Sequence, residues 1–176
     1  MRSAALSFLF AAGLLTAGCA TKRPLPPPAL GTPGEGDESA GNESDLVEGQ
    51  DAALSRLQRD LADSAGSDRV LFALDAYDLS PTARQILTRQ AEWLRAHPDV
   101  TCSMEGHCDE RGTREYNLAL GDRRAKSAAD FLIALGISPS RIRTISYGKE
   151  RPQALGSDDE SSAQNRRAVS IVVRAS

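Results

Sequence analysis

From Arg69 onward the chain alternates segments of strand period with segments of helix period, and this alternation restricts its fold more than any other feature. Val70-Leu71-Phe72-Ala73-Leu74 is a short apolar run bounded by polar residues, as in a buried strand. Ser80-Pro81 sets a cap and a helix-opening proline ahead of Ile86, Leu87, Ala91 and Leu94, which recur at three- and four-residue steps. His97-Pro98 ends that helix, because the residue before a proline is pushed out of the helical region. Val100, Cys102 and Met104 then alternate with Thr101, Ser103 and Glu105, the period of a half-buried strand. A long helix is predicted from about Glu115, with Leu118, Ala125, Ala128, Ala129, Leu132 and Leu135 inward and Gly136 as its stop. Residues 142–147 read as a third strand, 148–164 as a polar connection and 168–173 as a closing strand. A βαβαβ–β order predicts a two-layer α/β (α+β) sandwich over residues 67–176. Its sheet is mixed: the connecting helices favour parallel neighbours, and the fourth strand suits an antiparallel place.

The chain before this domain has a different character. Arg2 and the α-amino group precede an apolar run from Ala4 to Ala17, and no charge falls between Ser3 and Ala20. The run ends in small residues rather than a basic stop-transfer cluster, so residues 1–18 read as an export signal and not as a resident membrane span. Five of the nine prolines lie at 24, 26, 27, 28 and 33, and between Glu35 and Glu48 there are six acids and no base. Such a segment cannot bury enough apolar surface to offset ordering, so residues 19–66 are expected to form an acidic tether. Ala53, Leu54, Leu57 and Leu61 suit a short amphipathic helix over 51–63, at the domain edge or within the tether.

Charge narrows the function. The formal net charge is −3. Residues 19–69 carry five basic and ten acidic side chains, and 70–176 carry fifteen basic and fourteen acidic. A near-neutral domain behind an acidic tether argues against a nucleic-acid binder, which needs a basic excess. The densest polar cluster is Glu105-Gly106-His107-Cys108-Asp109-Glu110-Arg111-Gly112-Thr113, in a strand-to-helix connection. Arg123-Arg124 follows down the next helix and Asn165-Arg166-Arg167 near the end. Arginine forks a carboxylate and aspartate accepts from an ammonium, so these groups together suit a zwitterionic ligand. By itself Asp109 equally suits a capping carboxylate at a helix start, and Arg123, Arg166 and Arg167 equally suit ion pairs that secure the fold. Tyr147 and Trp93 are expected to pack in the core, and Asn117 to bond across the loop.

Two resemblances to known families are carried by motifs spread along the sequence. Residues 106–113, then Glu115-Tyr116-Asn117, Leu120-Gly121, Arg123-Arg124-Ala125, Ser146-Tyr147-Gly148-Lys149-Glu150 with Pro152, and Asn165-Arg166-Arg167-Ala168-Val169 closely resemble the OmpA-like domain of the peptidoglycan-associated lipoprotein (Pal) family. Phe72 to Asp78 looks like that family's first strand and following turn. Leu15-Thr16-Ala17-Gly18-Cys19 resembles the lipobox of bacterial lipoproteins, with Thr16 where leucine is commonest. The second resemblance implies lipidation at Cys19, and Ala20 in place of an aspartate implies the outer membrane, with the domain facing the periplasm. Two or three acyl chains anchor a protein stably where one binds marginally. The first resemblance implies non-covalent binding of peptidoglycan through the meso-diaminopimelate of its stem peptide. Asp109 would take the ammonium and Arg124, fifteen residues on, the carboxylate, with Arg111, Asp75 and Leu74 lining the groove. It also implies TolB, and other Tol or OmpA-type envelope proteins, as partners in a system for envelope integrity and cell division. An OmpA-like lipoprotein outside the Tol system is the nearest alternative. No cofactor is implied.

Cys108 stands where the family often has a small residue, six positions after Cys102. An oxidising periplasm invites a bridge between them, but that needs Cα atoms within about 7 Å, which an extended six-residue separation gives only with a sharp turn, so free and bridged thiols both stay open. His107, Cys108 and Asp109 offer a remote thiol- or metal-enzyme reading, but adjacent positions rarely meet in a catalytic geometry and the spaced ligand pairs of zinc motifs are missing.

Overall fold

The structure is a computed structural model and describes residues 43–175. The export signal, Cys19 and the proline-rich part of the tether lie outside the described residues. The elements are α1 (Glu43–Ala65), β1 (Arg69–Leu71), α2 (Pro81–Ala96), β2 (Val100–His107), α3 (Arg114–Ala134), a 3-10 turn at Pro139–Arg141, β3 (Ile142–Gly148), α4 (Asp159–Asn165) and β4 (Arg167–Ala175).

The four strands form one mixed sheet in the order β1-β4-β2-β3. β2 and β3 run parallel across α3, from Cys102↔Ile142 to His107↔Gly148. β4 runs antiparallel to both its neighbours, with Gly106↔Ala168 on β2 and Leu71↔Arg167 on β1. The expected mixed sheet is present, and β4 enters between the strands of the first βαβ unit rather than at an edge. Inward residues Val70, Cys102, Met104, Ala168 and Val172 join Leu87, Ala91 and Leu94 of α2 and Ala125, Ala128, Ala129 and Leu132 of α3 in one core. The helices therefore cover one face of the sheet, in the two-layer plan.

Local signals act where the sequence places them. Ser80 caps α2 by accepting from the Ala83 N–H at 3.1 Å, with Pro81 in the first turn. His97 ends the helix, and Gly136 takes a left-handed φ of 95° after α3. Leu118 is only half-buried, whereas Leu120 is buried; the inward stripe of α3 is set by the arginine and small residues that follow it. The seven-residue α4, capped by Asp158, falls within the stretch expected to be a plain connection.

The short helix expected over 51–63 is a 23-residue helix, and it is part of the folded body. Leu61 is 1% exposed and Ala65 fully buried. Gln58 accepts from Val172 N at 2.8 Å and donates to Ser170 O at 2.9 Å, and Trp93 Nε1 donates to Asp60 at 2.6 Å. The folded body thus reaches upstream of residue 67. The three leucines 54, 57 and 61 lie on one side of the helix and match an apolar strip that α2 and β4 leave open.

Candidate functional site

Gly106, near the end of β2, lies against Gly121 of α3: a Cβ on Gly106 would stand 1.8 Å from the Gly121 carbonyl oxygen. This close crossing sets the 107–113 connection beside the second and third turns of α3. The connection is fixed by Asn117, whose Nδ2 donates to Arg111 O (2.6 Å) and Thr113 O (3.1 Å). Thr113 caps α3 by accepting from Tyr116 N, so Asp109 is not the helix cap. On the far side, the 72–76 turn carries Asp75 at a left-handed φ of 53°, a strained position for a residue with a side chain.

Between these segments lies a cleft of about 350 Å³, lined by Leu74, Asp75, Asp109, Arg111, Gly112, Tyr116, Asn117, Leu120, Arg124 and Arg166. All five sequence-derived groove residues therefore meet in one place. Tyr116 and Leu120 join them as further lining, and so does Arg166, which the sequence left between ligand contact and a fold-securing ion pair. A signal for two of these was present: 116, 120 and 124 follow one another at four-residue steps, so they share a helix face. Leu74 is 61% exposed at the rim, and the Tyr116 hydroxyl donates to Asp75 across the mouth.

Asp109 is 6% exposed and fully engaged. Its Oδ2 accepts from Arg111 Nη2 at 2.6 Å and from Arg166 Nη1 at 3.3 Å, and its Oδ1 accepts from the Arg111 N–H. Burial by itself would raise this carboxyl, but the hydrogen bonds from Arg111 and Arg166 hold it below its ordinary value. It enters the cleft as a carboxylate.

Arg124 has a different role from a free fork. It is fully buried, and its Nε, Nη1 and Nη2 donate to Ala76 O (2.8 Å), His107 O (2.9 Å) and Ala73 O (3.2 Å). Its guanidinium also lies over the Phe72 ring. Arg124 therefore clasps the 72–76 turn to the end of β2 and brings a positive charge to the cleft floor. Arg166 adds a second clasp, Nε to Phe72 O at 3.1 Å, while its backbone C=O accepts from Phe72 N.

His107 and Cys108 separate at the end of β2. His107 packs on the outer sheet face against Tyr147, with Arg151 over the same tyrosine ring; burial, then Arg167 and Arg151, bring its pKa down to about 4. Cys108 is 2% exposed beneath α3 and donates to Asn117 O. They do not form a nucleophile–base pair, and among the described residues no three His, Cys, Asp or Glu side chains converge as metal ligands. Cys102 and Cys108 are both buried free thiols, without a bridge. Trp93 packs in the core, as expected, stacked on His97. Tyr147 and Arg167 instead stand on the outer sheet face, away from the cleft.

Comparison with known proteins agrees with this fold. The OmpA family model matches residues 71–166. The chain is 44% identical over 159 residues to the peptidoglycan-associated lipoprotein of Brucella melitensis, covering 90% of this chain and 86% of that one. It is likewise 44% identical over 161 residues to the protein of that name in Agrobacterium fabrum, covering 90% and 82%. The crystal structure of the peptidoglycan-associated lipoprotein from Burkholderia pseudomallei superposes with a TM-score of 0.60 at 38% identity, over 64% of this chain and 99% of that one. A putative MotB-like protein from Desulfovibrio vulgaris, 20% identical with a TM-score of 0.59, shares the fold, over 76% of this chain and 96% of that one.

Proposed function

Since the chain belongs to the OmpA family, we propose that it binds peptidoglycan non-covalently and ties the outer membrane to the cell wall. It is not an enzyme; the relatives just described are named for an association and not for a reaction. The observation that carries the proposal is the cleft itself, where a buried, ionised Asp109 lies among Arg111, Arg124 and Arg166. Its ligand is the diaminopimelate of the stem peptide, whose side chain ends in an ammonium and a carboxylate. Asp109 receives the ammonium, Arg124 presents its charge to the carboxylate from the cleft floor, and Leu74, Asp75 and Arg111 line the approach. Upstream, Cys19 carries the acyl chains that hold the outer membrane, and the acidic segment spaces the domain from it.

Sedimentation of the full-length protein with purified sacculi tests this reading. Asp109→Asn keeps the shape of the side chain, removes its charge, and is expected to abolish co-sedimentation while the fold is retained. Losing one charge of a desolvated pair costs about 2–5 kcal/mol, a loss of thirtyfold or more. Undiminished binding by folded Asp109→Asn protein would refute the assignment. A role in the Tol system is part of the same proposal, and recovery of TolB in a pull-down separates it from an OmpA-like lipoprotein working elsewhere in the envelope.

A further inference from the structure

The ammonium site of the cleft is already filled by the chain's own cation. Asp109 Oδ2 accepts from both Arg111 and Arg166, and its other oxygen accepts from the Arg111 backbone. A ligand ammonium reaches that carboxylate only if one guanidinium moves aside. The two are not equally free. The Arg166 side chain is 14% exposed and is pinned by its Nε to Phe72 O. The Arg111 side chain is 48% exposed, and among the described residues its guanidinium has Asp109 alone as a hydrogen-bond and ion-pair partner.

Charge balance points the same way. The cleft is lined by two carboxylates, Asp75 and Asp109, and three guanidiniums, Arg111, Arg124 and Arg166. A ligand that brings only an ammonium adds to an existing positive excess and turns Arg111 out into solvent. A ligand whose ammonium carries a carboxylate on the same carbon leaves the balance as it was and offers the displaced guanidinium a partner. Arginine and carboxylate then meet in a forked geometry.

We propose that Arg111 is a built-in competitor for Asp109 that yields to ligands bearing a carboxylate beside the ammonium, and so determines the specificity of the cleft. This rests on the reading of the cleft as a diaminopimelate site and adds to it the residue that makes the second charge obligatory. In the exchange the Arg111–Asp109 pair opens, the ligand ammonium donates to Asp109, and Arg111 donates to the ligand carboxylate. Both members of the Arg111–Asp109 pair have a charged partner before and after. A lysine side chain, or a diaminopimelate whose side-chain carboxyl is amidated, completes only half of the exchange.

Titration calorimetry of the full-length protein in detergent, with three soluble tripeptides, tests it. The tripeptides are L-Ala-γ-D-Glu-meso-diaminopimelate, the same peptide amidated at the side-chain carboxyl, and the lysine form. Wild type is expected to bind the first at least tenfold more tightly than the other two. In Arg111→Gln the gap is expected to narrow at least threefold, because the lysine and amide forms no longer compete with the Arg111 guanidinium, while Arg124 still favours the carboxylate. A gap that is small in wild type, or that survives Arg111→Gln unchanged, overturns the proposal. Failure of wild type to bind either the diaminopimelate tripeptide or sacculi refutes the reading of the cleft itself. Arg111 is half-exposed and outside the core, so the unfolding midpoint of the variant serves as the control for its fold.

Discussion

Replacing Arg124 by methionine distinguishes a residue that holds the fold from one that only holds a ligand. The substitution keeps an unbranched chain of similar reach and removes three hydrogen bonds, to Ala76 O, His107 O and Ala73 O. His107 is 2% exposed, so its carbonyl cannot turn to water, and leaving it unpaired costs about 1–3 kcal/mol. Ala73 is exposed and Ala76 half-buried; their carbonyls recover water bonds, at roughly 0.5–1 kcal/mol each. Against this, burial lowers the Arg124 pKa, and removing a desolvated cation returns part of the loss. The net expectation is a destabilisation of about 2–4 kcal/mol. With a urea slope of about 2 kcal/mol per molar, the midpoint falls by about 1–2 M at an unchanged slope. Native-state hydrogen exchange is expected to rise first in residues 72–76, the turn that loses its clasp. A midpoint within about 0.5 M of wild type, with exchange in that turn unchanged, would refute the clasp and leave Arg124 with a ligand-binding role alone.

The packing and charges elsewhere in the domain lead to further expected outcomes. Gly106→Ala places a methyl carbon on the Gly121 backbone; overpacking of this kind costs about 1–3 kcal/mol, and separation of β2 from α3 is expected to weaken sacculus binding along with the urea midpoint. His107 has a folded pKa of about 4, below its usual 6.5, so the unfolded chain binds the extra proton first as pH falls. Stability is therefore expected to decline from about pH 6.5 to pH 4, by on the order of 3 kcal/mol, and to level off below; a His107→Gln variant with the same pH profile as wild type would contradict this. For the cysteines, a thiol reagent without reductant is expected to label Cys102 and Cys108 only after denaturation, since both are buried and free. Labelling that requires reductant would instead reveal a bridge.

Much of the site is visible in the sequence because its residues are close together along the chain. Asp109, Arg111 and Thr113 lie in one loop, and 116, 117, 120 and 124 lie on one face of the helix it leads into. A helix has a fixed period, so spacing alone brings those side chains to one side. Arg166 is fifty-seven residues from Asp109, and nothing local distinguishes it from Arg167. The two point to opposite sides at the start of β4, and only the strand order decides which of them reaches the cleft. The extent of helix α1 is less legible for a similar reason. Its leucines show a helical period, but the acidic residues around them give no sign of a partner, and the partner is a strip of α2 and β4, 33 residues away where Trp93 meets Asp60 and 112 away where Ser170 meets Gln58.

The sequence by itself determined the alternation of strands and helices, the cap at Ser80, the two-layer mixed plan and the collection of charged groups in the 105–113 connection. The alternation, the cap and the charge cluster depend on interactions between residues a few positions apart, and the mixed plan follows from the order of the elements. Tertiary structure decided how the charges pair. Asp109 is neutralised by Arg111 and Arg166 rather than by Arg124, and Arg124 is turned toward backbone carbonyls because a buried guanidinium must have its donors satisfied. Burial sets that requirement, and burial exists only once β2, α3 and the 72–76 turn have closed around the side chain.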